Sequence, residues 1–240
     1  MSNIYLIRHG FTPANNANYN GQRDLRKIAV DSEMPLEKTF GRRQAKELGD
    51  YLNFLAGKTL ILVSPYKRCI ETMDIALSRL SLNYVSNNVE IRIMDDLHEI
   101  DSGIHYARTK EEVLEVCPKA RLFYLLKKIG SWDLPYIEGE SEHDVGQRVQ
   151  KVGLMLKKMG DEDLYDNILV FGHGSVNRWL YYWINNKVFN TKIKNCEVIK
   201  GNGKDAGRSL FIPEVYVPSG YMIDINDYIN DVNKKRLTDK

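Results

Sequence analysis

The sequence has few cysteines and lacks the patterns in which cysteines usually act together. Its 240 residues contain three cysteines, Cys69, Cys117 and Cys196, which are odd in number and far apart. It has no CxxC pair and no Cys/His spacing of the kind that holds a metal. We therefore expect neither a disulfide framework nor a structural zinc site.

The chain also lacks long hydrophobic runs and an excess of charge of one sign. No stretch approaches the roughly 18 apolar residues that a membrane span requires, and the apolar stretch before Arg8 is too short for a signal peptide. Lys and Arg number 34 against 32 Asp and Glu, so no global field favours nucleic acid or an anionic membrane. We expect a cytoplasmic protein that binds neither.

Short apolar runs alternate with longer helical patterns along the chain. A turn-rich stretch between residues 197–200 and 209–212 predicts a hairpin, and four earlier runs predict strands at 4–7, 60–63, 91–94 and 168–171. Strands separated by helices indicate the α/β class, here a three-layer sandwich with a mostly parallel central sheet and helices on both faces. The simplest organisation is a single domain over residues 1–240, with an inserted helical lid region at about 100–140.

Polar and glycine residues mark where the predicted helices begin and end. Ser64, followed by proline, predicts a capped helix start after the second strand. Thr109 predicts a capping box with the glutamate three residues on. Ser141 predicts the cap of a helix that ends at Gly160, and Gly57 predicts the end of an earlier helix.

The unusual polar residues follow the four predicted strands. Ligands in open α/β sheets bind beyond the carboxyl ends of the strands, so these residues are expected to meet in one pocket. They supply two arginines, two histidines and a carboxylate. The residues at these strand ends are Arg8, His9, Gly10, Arg68, Glu99, His173 and Gly174.

This set of side chains suits phosphoryl transfer. Guanidinium groups match phosphate oxygens in a bidentate way, and the predicted helix start after His173 favours an anion. A neutral imidazole at His9 is a competent nucleophile, and nearby arginines would lower its pKa and keep it neutral. Gly10 is expected to let the phosphate approach the backbone. Because these side chains can neutralise developing charge, we expect no metal and no cofactor.

Five motifs in order resemble the histidine phosphatase superfamily, which includes the cofactor-dependent phosphoglycerate mutases. The resemblance covers residues 3 to about 185 and implies a phosphoglycerate mutase-like fold. Its motifs are LIRHGFTPAN, SPYKRCIET, LHEIDSG, EGES and FGHG.

The resemblance also implies catalytic roles for individual residues. His9 would attack phosphorus and become phosphohistidine, while His173 would bind the phosphate and stabilise the transition state. Glu99 would donate a proton to the departing alcohol oxygen and then take one from the attacking water. Further residues are expected to contact the phosphate or lie close to it: Arg8, Arg68, Asn15, Thr12, Gly21 and Gln22.

The sequence departs from the family pattern at three places. Gly172 stands where the family usually has Ser or Thr before the second histidine. An extra residue precedes Gly41, and the second glycine often found after Gly103 is absent around Ala107 and Arg108. These departures affect loop geometry and the substrate pocket more than the catalytic core.

Each of these residues also has an ordinary structural explanation. A lone His9 could end a strand, Arg68 could be structural, and Glu99, among acidic neighbours, could be a solvated loop carboxylate. For the other histidines, His98, His105 and His143, a surface position is expected from their polar contexts. The aromatic residues Trp179, Tyr182 and Trp183 are expected in the core. The cluster of Arg121, Lys127 and Lys128 predicts a solvated helix face or, alternatively, a lid patch that recognises a second anionic group.

The leading functional interpretation is a metal-independent phosphatase that hydrolyses a small phosphorylated metabolite through phosphohistidine. A phosphoglycerate mutase-type phosphotransferase shares the same catalytic residues. We favour hydrolysis because residues 100–140 do not resemble the long insertion of the mutases. A catalytically silent phospho-ligand-binding module is a third alternative, although such a binder has no need of Glu99. The oligomeric state is not readable from the sequence, and a homodimer stays open.

Overall fold

The computed structural model describes residues 1–15, 29–130 and 133–215. Within them, a six-stranded sheet has the order β3-β2-β4-β1-β5-β6. The first four strands of this order run parallel, and the last two add an antiparallel edge. The strands are β1 Asn3–Arg8, β2 Thr59–Val63, β3 Val89–Ile93, β4 Asn167–Gly172, β5 Val198–Lys200 and β6 Ser209–Phe211.

Seven α-helices lie in the described residues, and the sheet has helices on both faces. One core cluster joins one face of the sheet to α1 and α2, and the other joins the opposite face to α6 and α7. The expected three-layer sandwich is confirmed. None of the helices in the described residues is long and apolar enough to cross a membrane. The helices are α1 Phe40–Tyr51, α2 Lys67–Leu77, α3 Leu82–Asn88, α4 Lys110–Val116, α5 Ala120–Lys128, α6 Glu142–Glu162 and α7 Gly174–Asn185.

Successive side chains of β1 point alternately into the two core clusters, one on each face of the sheet. Ile4 and Leu6 face the cluster that contains α6 and α7, whereas Tyr5 and Ile7 face the cluster that contains α1 and α2. Successive side chains of a strand point to opposite faces of its sheet. The first strand is therefore apolar on both faces, as expected of a strand covered on both sides.

The parallel register brings the ends of distant segments to one edge. Arg8 pairs with Gly172 across β1 and β4, and Val63 pairs with Phe171 across β2 and β4. The residues that follow these strands, including His9 and His173, therefore leave the sheet side by side.

Three predicted helix boundaries were wrong. The helix after β2 begins at Lys67 rather than at Ser64, whose hydroxyl is used elsewhere. The first helix gives way to a 3-10 turn at Leu52–Phe54 before Gly57. Gly160 lies inside α6, close to the Ile4 side chain, and the helix continues for two more residues to Glu162.

The predicted capping box and hairpin are confirmed. Thr109 and Glu112 form the capping box of α4, and β5 and β6 form the expected antiparallel hairpin. The segment at 100–140 contains a 3-10 turn at Gly103–His105 followed by α4 and α5.

Ser141 caps the longest of these helices, so its replacement should destabilise the fold. Its hydroxyl accepts the amide proton of Asp144, whose carboxylate accepts the Ser141 amide proton in return. Ser141→Ala should lower the free energy of unfolding by about 1 kcal/mol, measured by urea denaturation. Ser141→Thr retains the hydroxyl and should lose little; equal losses in both variants would contradict the capping explanation.

Candidate functional site

A cavity of about 520 Å³ opens at the carboxyl edge of the parallel strands. Its wall combines segments that are far apart in sequence: the end of β1, the start of α2, the loop after β3 and the start of α7. Seven predicted site residues line it: Arg8, His9, Thr12, Asn15, Arg68, Glu99 and Gly174.

His9 is buried and held in one orientation by the backbone. Its Nδ1 lies 2.8 Å from the Gly10 carbonyl oxygen, and because a carbonyl can only accept, Nδ1 carries the proton. The lone pair of the neutral ring is therefore on Nε2. Burial, reinforced by the cations of Arg68 and Arg8, lowers the pKa of His9 well below its usual value. The ring is neutral and nucleophilic at physiological pH.

His173 lies beside His9 and is held by different partners. The two ring centroids are 5.1 Å apart. Its Nε2 lies 2.9 Å from the Ser64 hydroxyl, and its Nδ1 lies 3.6 Å from Glu99 Oε2. Burial, together with the Arg68 cation, lowers the pKa of His173 well below the usual histidine value. Two neutral imidazoles thus lie side by side, His9 in the cavity wall and His173 behind it, outside the residues that line the cavity.

The site contains buried nitrogens that lack partners. Arg8 donates from Nη1 to the Ile193 carbonyl oxygen at 2.7 Å, which fixes the guanidinium. Arg8 Nε and His173 Nδ1 are buried without a hydrogen-bond partner among the described residues. Because unsatisfied buried polar groups cost free energy, these nitrogens indicate a site built for a polar ligand.

Arg68 is buried and engaged by an acidic side chain. Its guanidinium donates to both carboxylate oxygens of Asp31, at 2.9 and 3.3 Å, and to the Asp31 carbonyl oxygen. Against the opposing effect of burial, the Asp31 charge raises the pKa of Arg68. The fork that matches a phosphate is thus occupied by an internal carboxylate in this structure.

Glu99 has the electrostatics of a proton donor. Burial raises the pKa of its carboxyl group above the usual value, although the Arg68 cation and the Ile100 amide oppose the rise. Ile100 donates its amide proton to Glu99 Oε1 at 3.0 Å, and Oε2 faces His173. A carboxyl group with a raised pKa holds its proton closer to neutral pH, as general acids do.

Thr12 and Asn15 form part of the wall through a small amide network. Asn15 Oδ1 accepts from the Thr12 amide at 3.2 Å and from Asn195 Nδ2 at 3.0 Å. Asn195 also donates to the His9 carbonyl oxygen. Cys196, in the left-handed region at φ 54°, donates its amide proton to the Arg8 carbonyl oxygen. The loop before β5 therefore holds the end of β1 in place.

Not every predicted residue reaches the cavity. Gly10 donates its amide to Thr72 Oγ1, and a Cβ at this position would lie 3.0 Å from the Gly41 carbonyl oxygen. The missing side chain therefore serves close packing, and the approach of a phosphate to this backbone stays a prediction. Gly21 and Gln22 lie outside the described residues. Gly172, the departure before the second histidine, leaves room for the Asn177 side chain.

Several expectations for residues outside the predicted site were wrong. His105 is half-buried, lines the cavity, and packs against Phe123 and Tyr136 at centroid distances of 4.5 and 5.2 Å. His98 and His143 are also half-buried rather than fully on the surface. Of the residues expected in the core, Trp179 and Trp183 pack against α6, and Tyr182 packs against both of them. All three line surface grooves.

The sequence reasoning missed several residues of the site. Arg178 had a usable signal, because it follows Gly174 by four residues and so shares its side of α7. Ser64 was identified as a cap, and no spacing rule connects it to His173. The remaining additions come from separate loops: Asp31, Tyr106, Lys192 and Asn195.

The donor set could also hold a metal ion by geometry alone. One ligand atom each from His9, Glu99 and His173 lie within 4.8 Å of one another. The buried cation of Arg68 and the partly buried cation of Arg8 lie beside this cluster and repel a further positive charge. The electrostatics therefore favour an anion over a metal ion.

The chain belongs to the histidine phosphatase superfamily (branch 1), whose sequence profile matches residues 4–210. The resemblance inferred from the five motifs is thereby confirmed, and with it an enzyme of the phosphatase class. None of the curated protein sequences compared with this chain matches it.

Solved structures share the fold at low sequence identity. One is a putative α-ribazole-5'-P phosphatase from Escherichia coli, with TM-score 0.62 and 19% identity over 91% of this chain and 98% of that chain. The α-ribazole phosphatase from Shigella flexneri has TM-score 0.62 and 19% identity, over 90% of this chain and 100% of that one. A mycobacterial glucosyl-3-phosphoglycerate phosphatase has TM-score 0.58 and 20% identity, over 82% and 88%. These similarities confirm the phosphoglycerate mutase-like fold.

Proposed function

We propose that this protein is a metal-independent phosphatase that hydrolyses a small phosphomonoester through a phosphohistidine intermediate on His9. One observation carries the proposal. The Gly10 carbonyl fixes the proton of His9 on Nδ1, so the nucleophilic lone pair is on Nε2 and points away from that carbonyl. His9 lines the same cavity as Arg8, Arg68 and Glu99.

The first half of the reaction forms the phosphohistidine. Nε2 of His9 attacks phosphorus while the bond from phosphorus to the ester oxygen breaks. Glu99 gives its proton to the departing oxygen, so the alcohol leaves neutral and Glu99 becomes a carboxylate. Arg8, Arg68 and His173 bind the phosphoryl oxygens as charge develops on them.

The second half restores the enzyme. Water attacks phosphorus, the bond from nitrogen to phosphorus breaks, and Glu99 takes the proton of the water. Inorganic phosphate leaves, and both His9 and Glu99 return to their starting protonation states. A cavity of about 520 Å³ suits a small phosphorylated metabolite.

Hydrolysis is favoured over phosphoryl return to a second hydroxyl. The neighbours described above carry the names of phosphatases. The helical segment at 100–140 is short in this chain, with α4 and α5 of seven and nine residues. A phosphoglycerate mutase would need a wall that recognises the carboxylate of that substrate, and residues 100–140 do not resemble the long insertion of the mutases.

A direct assay tests the proposal. With p-nitrophenyl phosphate in the presence of EDTA, the protein should release inorganic phosphate at a rate proportional to enzyme concentration. Loss of activity in EDTA that is restored by a divalent cation would contradict a metal-independent mechanism. Interconversion of phosphoglycerate isomers faster than phosphate release would favour a mutase. Phosphate-dependent thermal stabilisation without turnover would indicate a silent binder.

Removing the Asp31 carboxylate should strengthen phosphate binding. Asp31 competes for the Arg68 guanidinium and is itself 29% exposed, so the effect is moderate because solvent screens the pair. In Asp31→Asn, inorganic phosphate should bind about two- to fivefold more tightly by calorimetry, since a solvent-screened ion pair contributes roughly 0.2–1 kcal/mol. Glu33→Gln removes the same charge from the same 3-10 turn without a contact to Arg68 and serves as the control. Equal or weaker binding in Asp31→Asn would contradict the competition.

A further inference from the structure

A second cavity of about 640 Å³ adjoins the first. Arg178 lines both. The wall of the second cavity is largely aromatic, with Trp179, Tyr182 and Phe189. We call it the aromatic groove. The three aromatic side chains are partly buried, whereas Val188, which also lines the groove, is 72% exposed.

Two segments contribute to the walls of both cavities, so the cavities lie side by side with Arg178 between them. Along α7, Gly174 and Ser175 line the catalytic cavity, and Trp179 and Tyr182, one to two turns further on, line the aromatic groove. The loop after α7 runs back from the groove to the catalytic cavity. Its residues Val188, Phe189 and Asn190 line the groove, and the following Lys192 and Ile193 line the catalytic cavity. A ligand can therefore extend from one cavity into the other along the same two segments.

The junction between the cavities is polar and anchored. Arg178 donates to Glu142 Oε1 at 3.3 Å and to the Ser175 hydroxyl at 3.2 Å. Trp179 Nε1 donates to the other oxygen of Glu142 at 3.3 Å. The indole of Trp179 also lies against Gly146, where a Cβ would approach the ring within 2.8 Å. The aromatic wall is thus held by α6 from behind.

We propose that the aromatic groove is a substrate subsite, and this inference rests on the proposed phosphatase function. The substrate class is a phosphomonoester whose alcohol carries a flat apolar ring. The phosphate would lie beside His9, polar atoms of the linker would pass Arg178, and the ring would stack in the groove. Because helix rise is about 1.5 Å per residue, the step from Gly174 to Tyr182 corresponds to about 12 Å, which sets the reach of such a substrate.

Two alkyl phosphates separate the contribution of the groove to substrate binding from the rate of phosphoryl transfer. Butyl phosphate and 4-phenylbutyl phosphate have leaving alcohols of similar basicity, so the phosphoryl-transfer steps are matched. The wild-type protein should hydrolyse 4-phenylbutyl phosphate with a kcat/KM about tenfold higher, because the ring leaves water for an apolar surface. Tyr182→Ala and, separately, Phe189→Ala should remove most of this preference and leave kcat/KM for butyl phosphate unchanged.

A remote aromatic residue provides the matched control. Phe54 is 49% exposed and packs edge-to-face against Tyr5 and Tyr51 at the opposite face of the sheet. Phe54→Ala should therefore retain the full preference for the phenyl-bearing ester. Circular dichroism and thermal unfolding of each variant separate a lost subsite from a lost fold.

The outcomes distinguish this inference from the function on which it rests. Equal kcat/KM for the two esters, or a preference that survives both groove variants, would overturn the subsite while leaving the phosphatase intact. If neither ester nor p-nitrophenyl phosphate is hydrolysed, the proposed function fails, and calorimetric binding then decides the subsite by the same comparison of esters and variants. Light scattering that shows a dimer dissociated by Tyr182→Ala would identify the groove as a self-association surface and overturn the inference.

Discussion

His9→Ala is expected to abolish phosphatase activity and the phosphorylated protein together. Without the imidazole there is no nucleophile, and Arg8, Arg68 and Glu99 are left to act on water alone. We expect kcat to fall on the order of 10⁴–10⁶-fold, as when other enzymes lose a nucleophile. Reactions with ³²P-labelled substrate, quenched in alkaline detergent, should give an alkali-stable, acid-labile label on the wild type and none on the variant.

A second histidine provides the control. His143 is half-buried at the start of α6 and pairs with Gln147 at 2.7 Å, and it does not line the catalytic cavity. His143→Ala should keep both the activity and the label. Activity that persists in His9→Ala would contradict the assignment of His9 as the nucleophile, whether or not a label is detected.

The local physics of the sequence was sufficient to predict the sheet and the edge at which the site lies. Buried parallel strands carry continuous apolar runs, so β1, β2 and β4 stand out against the helices. Once these strands are parallel, the residues after them must meet at one edge, and His9 and His173 lie there with their ring centroids 5.1 Å apart. Capping signals at Thr109 and Ser141 were also reliable, because both partners of each cap are within three residues.

The rest of the site depends on contacts between distant segments. Asp31 reaches Arg68 across 37 residues and Ser64 reaches His173 across 109. No periodicity or spacing encodes such a pair. Ser64 shows the difficulty most clearly, since a serine before a proline has a sufficient local explanation as a helix cap.

The prediction that the aromatic residues of α7 lie in the core was wrong for a related reason. Trp179 and Tyr182 have the spacing of a buried helix face, and one side of each does pack within the protein. The other side borders a groove whose opposite wall is a loop that follows the helix. Helical periodicity gives the direction of a side chain from its helix, and it carries no information on whether a loop will cover it.

Glu99→Gln should produce the other large effect, and its size should depend on the leaving group. The amide is isosteric but has no acidic proton, so an alkyl ester must expel an alkoxide. We expect kcat for butyl phosphate to fall about 10²- to 10⁴-fold, the usual contribution of general acid catalysis. With p-nitrophenyl phosphate the leaving phenolate needs no proton, so the His9 phosphorylation step should be largely spared. Water attack still lacks its base, and phosphohistidine should accumulate in a burst.

The pH dependence provides an independent test of the same residue. Burial raises the pKa of Glu99, and the protonated form is the active acid, so kcat for an alkyl ester should fall as pH rises through that raised pKa. Burial and the arginine cations lower the pKa of His9, so the acidic loss of activity should lie well below pH 6.5. Glu99→Gln should remove the alkaline limb and leave the acidic one, whereas Asp101→Asn, a change in a neighbouring exposed carboxylate, should preserve both. An alkaline limb that persists in Glu99→Gln would assign the proton donor to another group.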